Sequence, residues 1–186
     1  MSLSEQRYKQ CLVSLQKYWG YDAFRPGQDQ AIRSVCEGQK TLVVFPTGAG
    51  KSLCYQIPAV SFEGLCLVIS PLVALMEDQV KQLQDRGISA SYITSKLGFK
   101  VIEQRLVNAR NGMYDLLYCA PEQLANKRFK RELEELPLSI IAIDEAHCIS
   151  EWGHEFRPIY RQLAEHLLVK TGHVQWLALT ATATPE

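Results

Sequence analysis

The 186 residues carry no net charge, because twenty lysines and arginines balance twenty aspartates and glutamates. Bulk electrostatics therefore gives no reason to expect a polyanionic partner, and any nucleic-acid site must be local. The six cysteines, at 11, 36, 54, 66, 119 and 148, form no CxxC pair. Several sit in apolar runs, which predicts reduced, mostly buried thiols in an intracellular protein, with neither disulfides nor zinc. The longest apolar run, Leu65 to Met76, is broken by Ser70 and Pro71 and is too short to span a bilayer. The first residues, Met1-Ser2-Leu3-Ser4-Glu5-Gln6, are too polar for a signal peptide. Repeats and low-complexity segments are absent. What is present, 47% hydrophobic and 22% charged residues, is the composition of one well-packed globular domain.

Periodicity then sets the architecture. Tyr8, Leu12, Leu15 and Trp19 recur at helical spacing, and Gly20 ends that helix. A second short helix follows Pro26, with Ala31, Ile32, Val35 and Cys36 inward. Short apolar runs at 41–45, 65–70, 89–94, 115–120, 140–144 and 174–180 read as strands. Helical patterns lie between most of them: Leu72, Met76, Val80 and Leu83; then Ile102, Leu106 and Ala109; then Ile159, Leu163 and Leu167. Strands apolar on both faces and separated by helices predict an α/β fold, a mostly parallel sheet with helices on both faces. Right-handed crossovers place every strand's C-terminal end along one edge, where ligands bind in such folds.

That edge receives the two most informative stretches. Phe45-Pro46-Thr47-Gly48-Ala49-Gly50-Lys51-Ser52 joins a β-branched run to a helical one, the layout of a phosphate-binding loop. Gly48 and Gly50 allow a tight turn that brings N–H groups against phosphate oxygens. The following helix adds its positive end, Lys51 reaches the β- and γ-phosphates, and Ser52 Oγ can ligate Mg²⁺. One departure is Phe45, where the full pattern begins with glycine. The second stretch, Ile140-Ile141-Ala142-Ile143-Asp144-Glu145, is an apolar strand ending in two acids. Asp144 can hold Mg²⁺ through water opposite Ser52, and Glu145 can polarise the water that attacks the γ-phosphate. Together these predict a nucleotide hydrolase that uses Mg²⁺.

Asp144-Glu145-Ala146-His147, followed by Cys148-Ile149-Ser150-Glu151-Trp152-Gly153-His154-Glu155-Phe156-Arg157-Pro158, resembles the DEAH box and aromatic-rich loop of RecQ-type DNA helicases. Five further stretches agree in order: Phe24-Arg25-Pro26-Gly27-Gln28, the phosphate loop, Ser70-Pro71-Leu72-Val73-Ala74-Leu75-Met76, Tyr118-Cys119-Ala120-Pro121-Glu122, and Leu179-Thr180-Ala181-Thr182-Ala183-Thr184. In that family the loop's first glycine is not required. The resemblance implies a three-layer RecA-like P-loop NTPase fold, ATP hydrolysis, and 3′-to-5′ translocation along single-stranded DNA in recombination and repair. It also implies that 39–186 form the first motor lobe, preceded by a helical segment, 1–38, with the adenine-recognition residues. A second lobe, absent from this chain, would complete the nucleotide site, so this lobe alone is expected to be nearly inactive. The expected setting is intracellular, cytoplasmic or nucleoid in a bacterium and nuclear in a eukaryote, with DNA as partner and no membrane.

The resemblance assigns adenine contacts to Tyr21, Arg25 and Gln28, and the Gln28 amide can pair with adenine N7 and N6 together. Thr47, Gly48, Ala49, Gly50, Lys51 and Ser52 cradle phosphate, and Phe24 is read as core. Trp152, His154, Phe156 and Arg157 are expected to stack unpaired bases and couple DNA binding to hydrolysis, with His147, Thr180 and Thr182 linking the two sites. Ser70 either holds a DNA phosphate or caps the helix after Pro71. Thr94-Ser95 and Pro121-Glu122-Gln123 read the same way, and the basic cluster 127–131 reads as a solvated helix surface. Three other readings stay open: a DEAD-box-like RNA helicase lobe, which the aromatic loop fits poorly; a non-catalytic nucleotide-gated DNA-binding module; and a transporter-type ATPase, which would need an LSGGQ-like loop.

Overall fold

The computed structural model describes residues 1–46, 48–149 and 174–181. Six strands form one sheet: β1 (Thr41–Val44), β2 (Leu65–Ile69), β3 (Ala90–Ile93), β4 (Leu116–Cys119), β5 (Leu138–Ile143) and β6 (Gln175–Thr180). Their order is β1-β6-β5-β2-β4-β3, and every pairing is parallel. All six expected strands are present; β5 starts at Leu138, two residues earlier than its apolar run suggests. Among the described residues six α-helices accompany them: α1 (Leu3–Trp19), α2 (Pro26–Cys36), α3 (Leu53–Ser61), α4 (Val73–Asp85), α5 (Phe99–Arg110) and α6 (Lys127–Glu134). Single 3₁₀ turns occupy Pro121–Ala125 and Ala146–Ile149. The helix expected around Ile159, Leu163 and Leu167 lies outside the described residues. Among those described, no helix is long and apolar enough to cross a membrane.

The two-residue period of the strands sorts their side chains into two cores. Cys66, Val68, Tyr118, Ile140, Ala142 and Leu177 face one side, packed by α2, α3 and α4. Leu65, Leu67, Leu117, Cys119, Ile141 and Ile143 face the other, packed by α5 and α6. Every residue of β2 and β4 is buried, the pattern of parallel strands covered on both faces. The result is three layers.

The N-terminal helices pack as an outer tier on α3. Cys11 and Leu15 of α1 meet Ile32 and Cys36 of α2 and Ile57 of α3. The buried face of α1 is Cys11, Ser14 and Leu15, and Leu12 is only half-buried. Ser14 is tolerated inside because Ser61 Oγ bonds its hydroxyl at 2.8 Å. Gly20 ends the helix at φ 72°, a left-handed conformation that a side chain would strain. Ser2 and Glu5 form a capping box at its start.

Helix α6 is the basic cluster read as a solvated surface, yet it buries Phe129 and Leu133. Its start depends on Asn126, whose side chain accepts hydrogen bonds from the Arg128 N–H at 2.9 Å and the Phe129 N–H at 3.3 Å. Asn126→Ala is expected to lower stability by about 1 kcal/mol, read as a fall in the urea midpoint. Asn126→Asp, which keeps the acceptor, should restore it; equal loss in both variants would refute the capping role.

Candidate nucleotide site

The parallel register aligns the strand ends. Val44 lies beside Thr180, Ile143 beside Ala178, Ile69 beside Ile143, and Cys119 beside both Ile69 and Ile93. The phosphate loop, Ser70, Thr94, Ala120, Asp144 and Thr180 therefore share one edge of the sheet, as the crossover argument requires.

The loop leaves β1 with Phe45 N–H bonded to the Thr180 carbonyl at 3.1 Å. The Phe45 ring lies against Gly27, where an added Cβ would stand only 2.6 Å from it. Gly48 and Gly50 take φ values of 81° and 79°, which L-residues avoid, so the loop's turns use both glycines for this freedom. The Ala49 N–H bonds the Pro46 carbonyl at 3.1 Å, and the Leu53 and Cys54 N–H groups bond the Gly50 and Lys51 carbonyls. Helix α3 follows with Ser52 as N-cap, but the Ser52 hydroxyl does not cap it. That hydroxyl instead interacts with the Tyr55 phenol. Thr47 lies outside the described residues.

Gln28 is buried, and both ends of its amide are occupied. Its Oε1 accepts from the Arg25 N–H at 3.1 Å, and its Nε2 donates to the Gly50 carbonyl at 3.1 Å. The first bond is half of a capping box at the start of α2; the second ties that helix to the phosphate loop. A glutamine three residues after the N-cap is a signature that periodicity reading passes over. Tyr21 and Arg25 stand exposed nearby in sequence, and Phe24 packs with Tyr8 on the outer tier.

Across the edge, the Asp144 N–H bonds the Ile69 carbonyl at 2.9 Å. The Asp144 acid is pushed up to about 6, first by burial and then by the Glu145 charge. A hydrogen bond from the Glu145 N–H, at 3.0 Å, and the electrostatic influence of Lys51 and His147 act in the opposite direction. Lys51 and Asp144 therefore feel each other electrostatically, as a shared site requires. Glu145 adopts φ 51°, the one positive value among described non-glycine residues. That conformation opens the 3₁₀ turn, closed by the Cys148 N–H on the Glu145 carbonyl at 3.0 Å. His147 Nδ1 then lies 3.2 Å from Glu145 Oε2 and 3.2 Å from Thr180 Oγ1. One imidazole thus joins the acid to the end of β6.

Ser70 and Thr94 are 2% and 1% exposed, and neither hydroxyl has a hydrogen-bond partner. Helix α4 starts at Val73 with Leu72 as N-cap and no side-chain cap, so Ser70 does not cap it. Pro71 and Leu72 intervene and carry the chain past hydroxyl reach. Trp152, His154, Phe156, Arg157 and Thr182 lie outside the described residues. Sequence reasoning missed a buried polar cluster behind the loop. Tyr55 and Tyr118 hydroxyls stand 3.1 Å apart, and Gln56 Nε2 donates to the Tyr118 hydroxyl at 3.2 Å and to Gln79 Oε1 at 2.7 Å. The signal was present: a tyrosine and a glutamine at the centre of an otherwise apolar helix.

No group of three or more candidate ligands gathers among the described residues. A magnesium ion asks for less, because it keeps several waters and takes one or two protein oxygens. A carboxylate whose charge is uncomfortable where it stands, with a hydroxyl free of capping duty across the edge, suits that need.

Comparison with known proteins agrees with this geometry. The profile of the DEAD/DEAH box helicase family matches residues 25–186. The chain is 51% identical over 175 residues to the ATP-dependent DNA helicase RecQ of Bacillus subtilis, covering 92% of this chain and 29% of that protein. It is 48% identical to the RecQ helicase of Pasteurella multocida, over 91% of this chain and 27% of that one. It thus spans less than a third of these relatives. Among solved structures, the DUF1998 helicase MrfA, bound to DNA and AMPPNP, superposes with a TM-score of 0.73 at 22% identity, over 100% of this chain and 27% of that one, a likeness of fold. With the profile spanning the phosphate loop, the acid pair and the β6 terminus, the chain belongs to the DEAD/DEAH box helicase family.

Proposed function

We propose that this chain is the ATP-binding and hydrolysing motor lobe of a RecQ-like 3′-to-5′ DNA helicase. The observation that carries this reading is the convergence of Lys51, Asp144 and the Glu145–His147–Thr180 chain on one sheet edge. In this reading residues 39–186 are the motor lobe and 1–38 its adenine-side extension. A second lobe, such as the much longer relatives have room for, completes the site, and DNA is the track. The setting is intracellular.

The roles follow from chemistry. Backbone N–H groups around Gly48, Ala49 and Gly50 hold phosphate oxygens, and Lys51 offsets their charge. Mg²⁺, held by Ser52 and Asp144 with waters, would supply charge neutralisation at the β- and γ-oxygens. Glu145 accepts a proton from the attacking water, and His147 holds that carboxylate in place. Gln28 reads adenine by exchanging its Gly50 carbonyl bond for one to the base, with Tyr21 stacking and Arg25 adding positive charge. Because His147 touches Thr180 and Glu145 at once, a shift at the end of β6 reaches the catalytic acid. In the stretch after Asp144, Trp152, His154, Phe156 and Arg157 would deliver that shift on binding DNA.

The test is thermal unfolding of the chain alone, with Mg·ATP and with Mg·GTP. At a hundred times the dissociation constant, ATP should add about 2.7 kcal/mol, and Lys51→Ala should remove this gain. Equal gains with ATP and GTP would contradict the Gln28 role. A gain that survives Lys51→Ala would contradict the phosphate site.

A further inference from the structure

Six thiols are buried in this chain, and two of them meet at a helix junction. Cys11 of α1 and Cys36 of α2 place their sulfurs 4.0 Å apart where α1, α2 and α3 meet. A disulfide needs about 2.05 Å between sulfurs, so about 2 Å of approach remains, shared by side-chain rotation at both residues. The pair also has an entrance. A cavity of about 380 Å³ between α1 and α2 is lined by Cys36 together with Tyr8, Lys9, Arg33, Glu5 and Glu37. Cys11 lies behind Cys36 with its sulfur beside the Ser61 hydroxyl.

The chemistry of the two sulfurs differs in the direction that reaction requires. Cys36 is held below the ordinary thiol range, first by a hydrogen bond from Cys11 and then by the Arg7 and Arg33 charges, against the pull of burial and of Glu37. Cys11 is raised by the same hydrogen bond and by burial. Cys54 and Cys119 are each pushed up to about 12 by burial, and Cys66 is pushed up likewise. Thiolates, not thiols, attack oxidants, so Cys36 is set apart from Cys11, Cys54, Cys66 and Cys119 by position and charge together.

We propose that Cys36 and Cys11 form a redox modification site, with Cys36 the thiol oxidised by hydrogen peroxide entering from the cavity and Cys11 the thiol that resolves it. In the first step the Cys36 thiolate attacks one peroxide oxygen. The O–O bond breaks, Cys36 becomes a sulfenic acid, and the other oxygen leaves as water after taking a proton. In the second step the Cys11 sulfur attacks the sulfenic sulfur, the S–O bond breaks, and a second water departs as the S–S bond forms. Two thiols are oxidised and one peroxide is reduced. The bridge would fasten the outer tier to itself directly beneath α3, which begins at the phosphate loop, and at the far end of the helix that carries Gln28. The inference stands apart from the ATPase reading and does not depend on it.

The experiment exposes the folded full chain to hydrogen peroxide, blocks remaining thiols with N-ethylmaleimide, and maps the unreduced digest by mass spectrometry. The expected product joins the Cys11 and Cys36 peptides, minus two hydrogens, and reverts with dithiothreitol. Cys54, Cys66 and Cys119 should be blocked only after unfolding. In Cys11→Ser, and in Cys11→Ala should the serine variant fold poorly, dimedone should trap sulfenic acid on Cys36. Bridges only between molecules, no linked pair in folded protein, or Cys36 reacting no faster than Cys54 would each overturn the proposal.

Discussion

Gly50→Ala is expected to abolish the ATP-induced rise in thermal stability and to destabilise the nucleotide-free chain as well. Two independent terms act. At φ 79° an alanine is held in a left-handed conformation that costs about 1–2 kcal/mol for any side chain. Its Cβ would also stand 2.4 Å from Gln28 Nε2, so the amide must leave the Gly50 carbonyl. A buried donor left without its acceptor costs about 1–3 kcal/mol. The sum, roughly 2–5 kcal/mol, corresponds to a fall in midpoint of about 4–20 °C at this chain length. The second term is separable from the first. In Gln28→Ala the collision is absent, so Gly50→Ala should cost less there than in the wild type. Additive losses in that double-mutant cycle would show that the amide does not rest on Gly50.

Asp144→Asn should do the opposite to stability while removing the same ligand effect. The Asp144 acid is pushed from its ordinary 3.8 to about 6 in the folded state. A raised acid favours the fold fully below about pH 4, and that contribution is lost as pH climbs through 6. Two units correspond to about 3 kcal/mol, and partial exposure to water reduces this, so about 1–2 kcal/mol is expected. The asparagine carries no charge and keeps an Oδ1 that can accept from the Glu145 N–H. At pH 8 and without nucleotide the variant should therefore unfold higher by about 2–8 °C, with no difference at pH 4. Mg·ATP should no longer stabilise it. A variant that is less stable at pH 8, or equally displaced at both pH values, would contradict the electrostatic account.

These two residues also show what sequence can and cannot disclose. Gly50 and Asp144 are readable by type and place: a glycine before lysine in a strand-to-helix turn, an acid at the end of an apolar strand. The sheet was equally legible, because β2 and β4 are apolar throughout and so must be covered on both faces. Partnerships were not legible. Nothing in the order of residues places Gln28 against Gly50, or His147 against Thr180, since these partners are 22 and 33 residues apart and meet only in the fold. The α1 face shifted toward Ser14 for a similar reason: a serine reads as surface until another serine across a helix interface supplies its bond. Ser70 was legible as an edge residue, but its buried and unpartnered hydroxyl was not.

The ring of Phe45 against Gly27 bears on how this loop can vary. Where the full phosphate-loop pattern has a glycine, this chain has a phenylalanine, and the absence of a side chain at Gly27 leaves the room that its ring fills. The two positions are therefore a matched volume rather than two separate choices. A larger residue at 27 would demand a smaller one at 45, and such exchanges can be inherited only together. The adenine-side helix start and the phosphate-side loop thus behave as one mechanical part: displacing either pushes on the other through an aromatic ring, without any hydrogen bond having to break first.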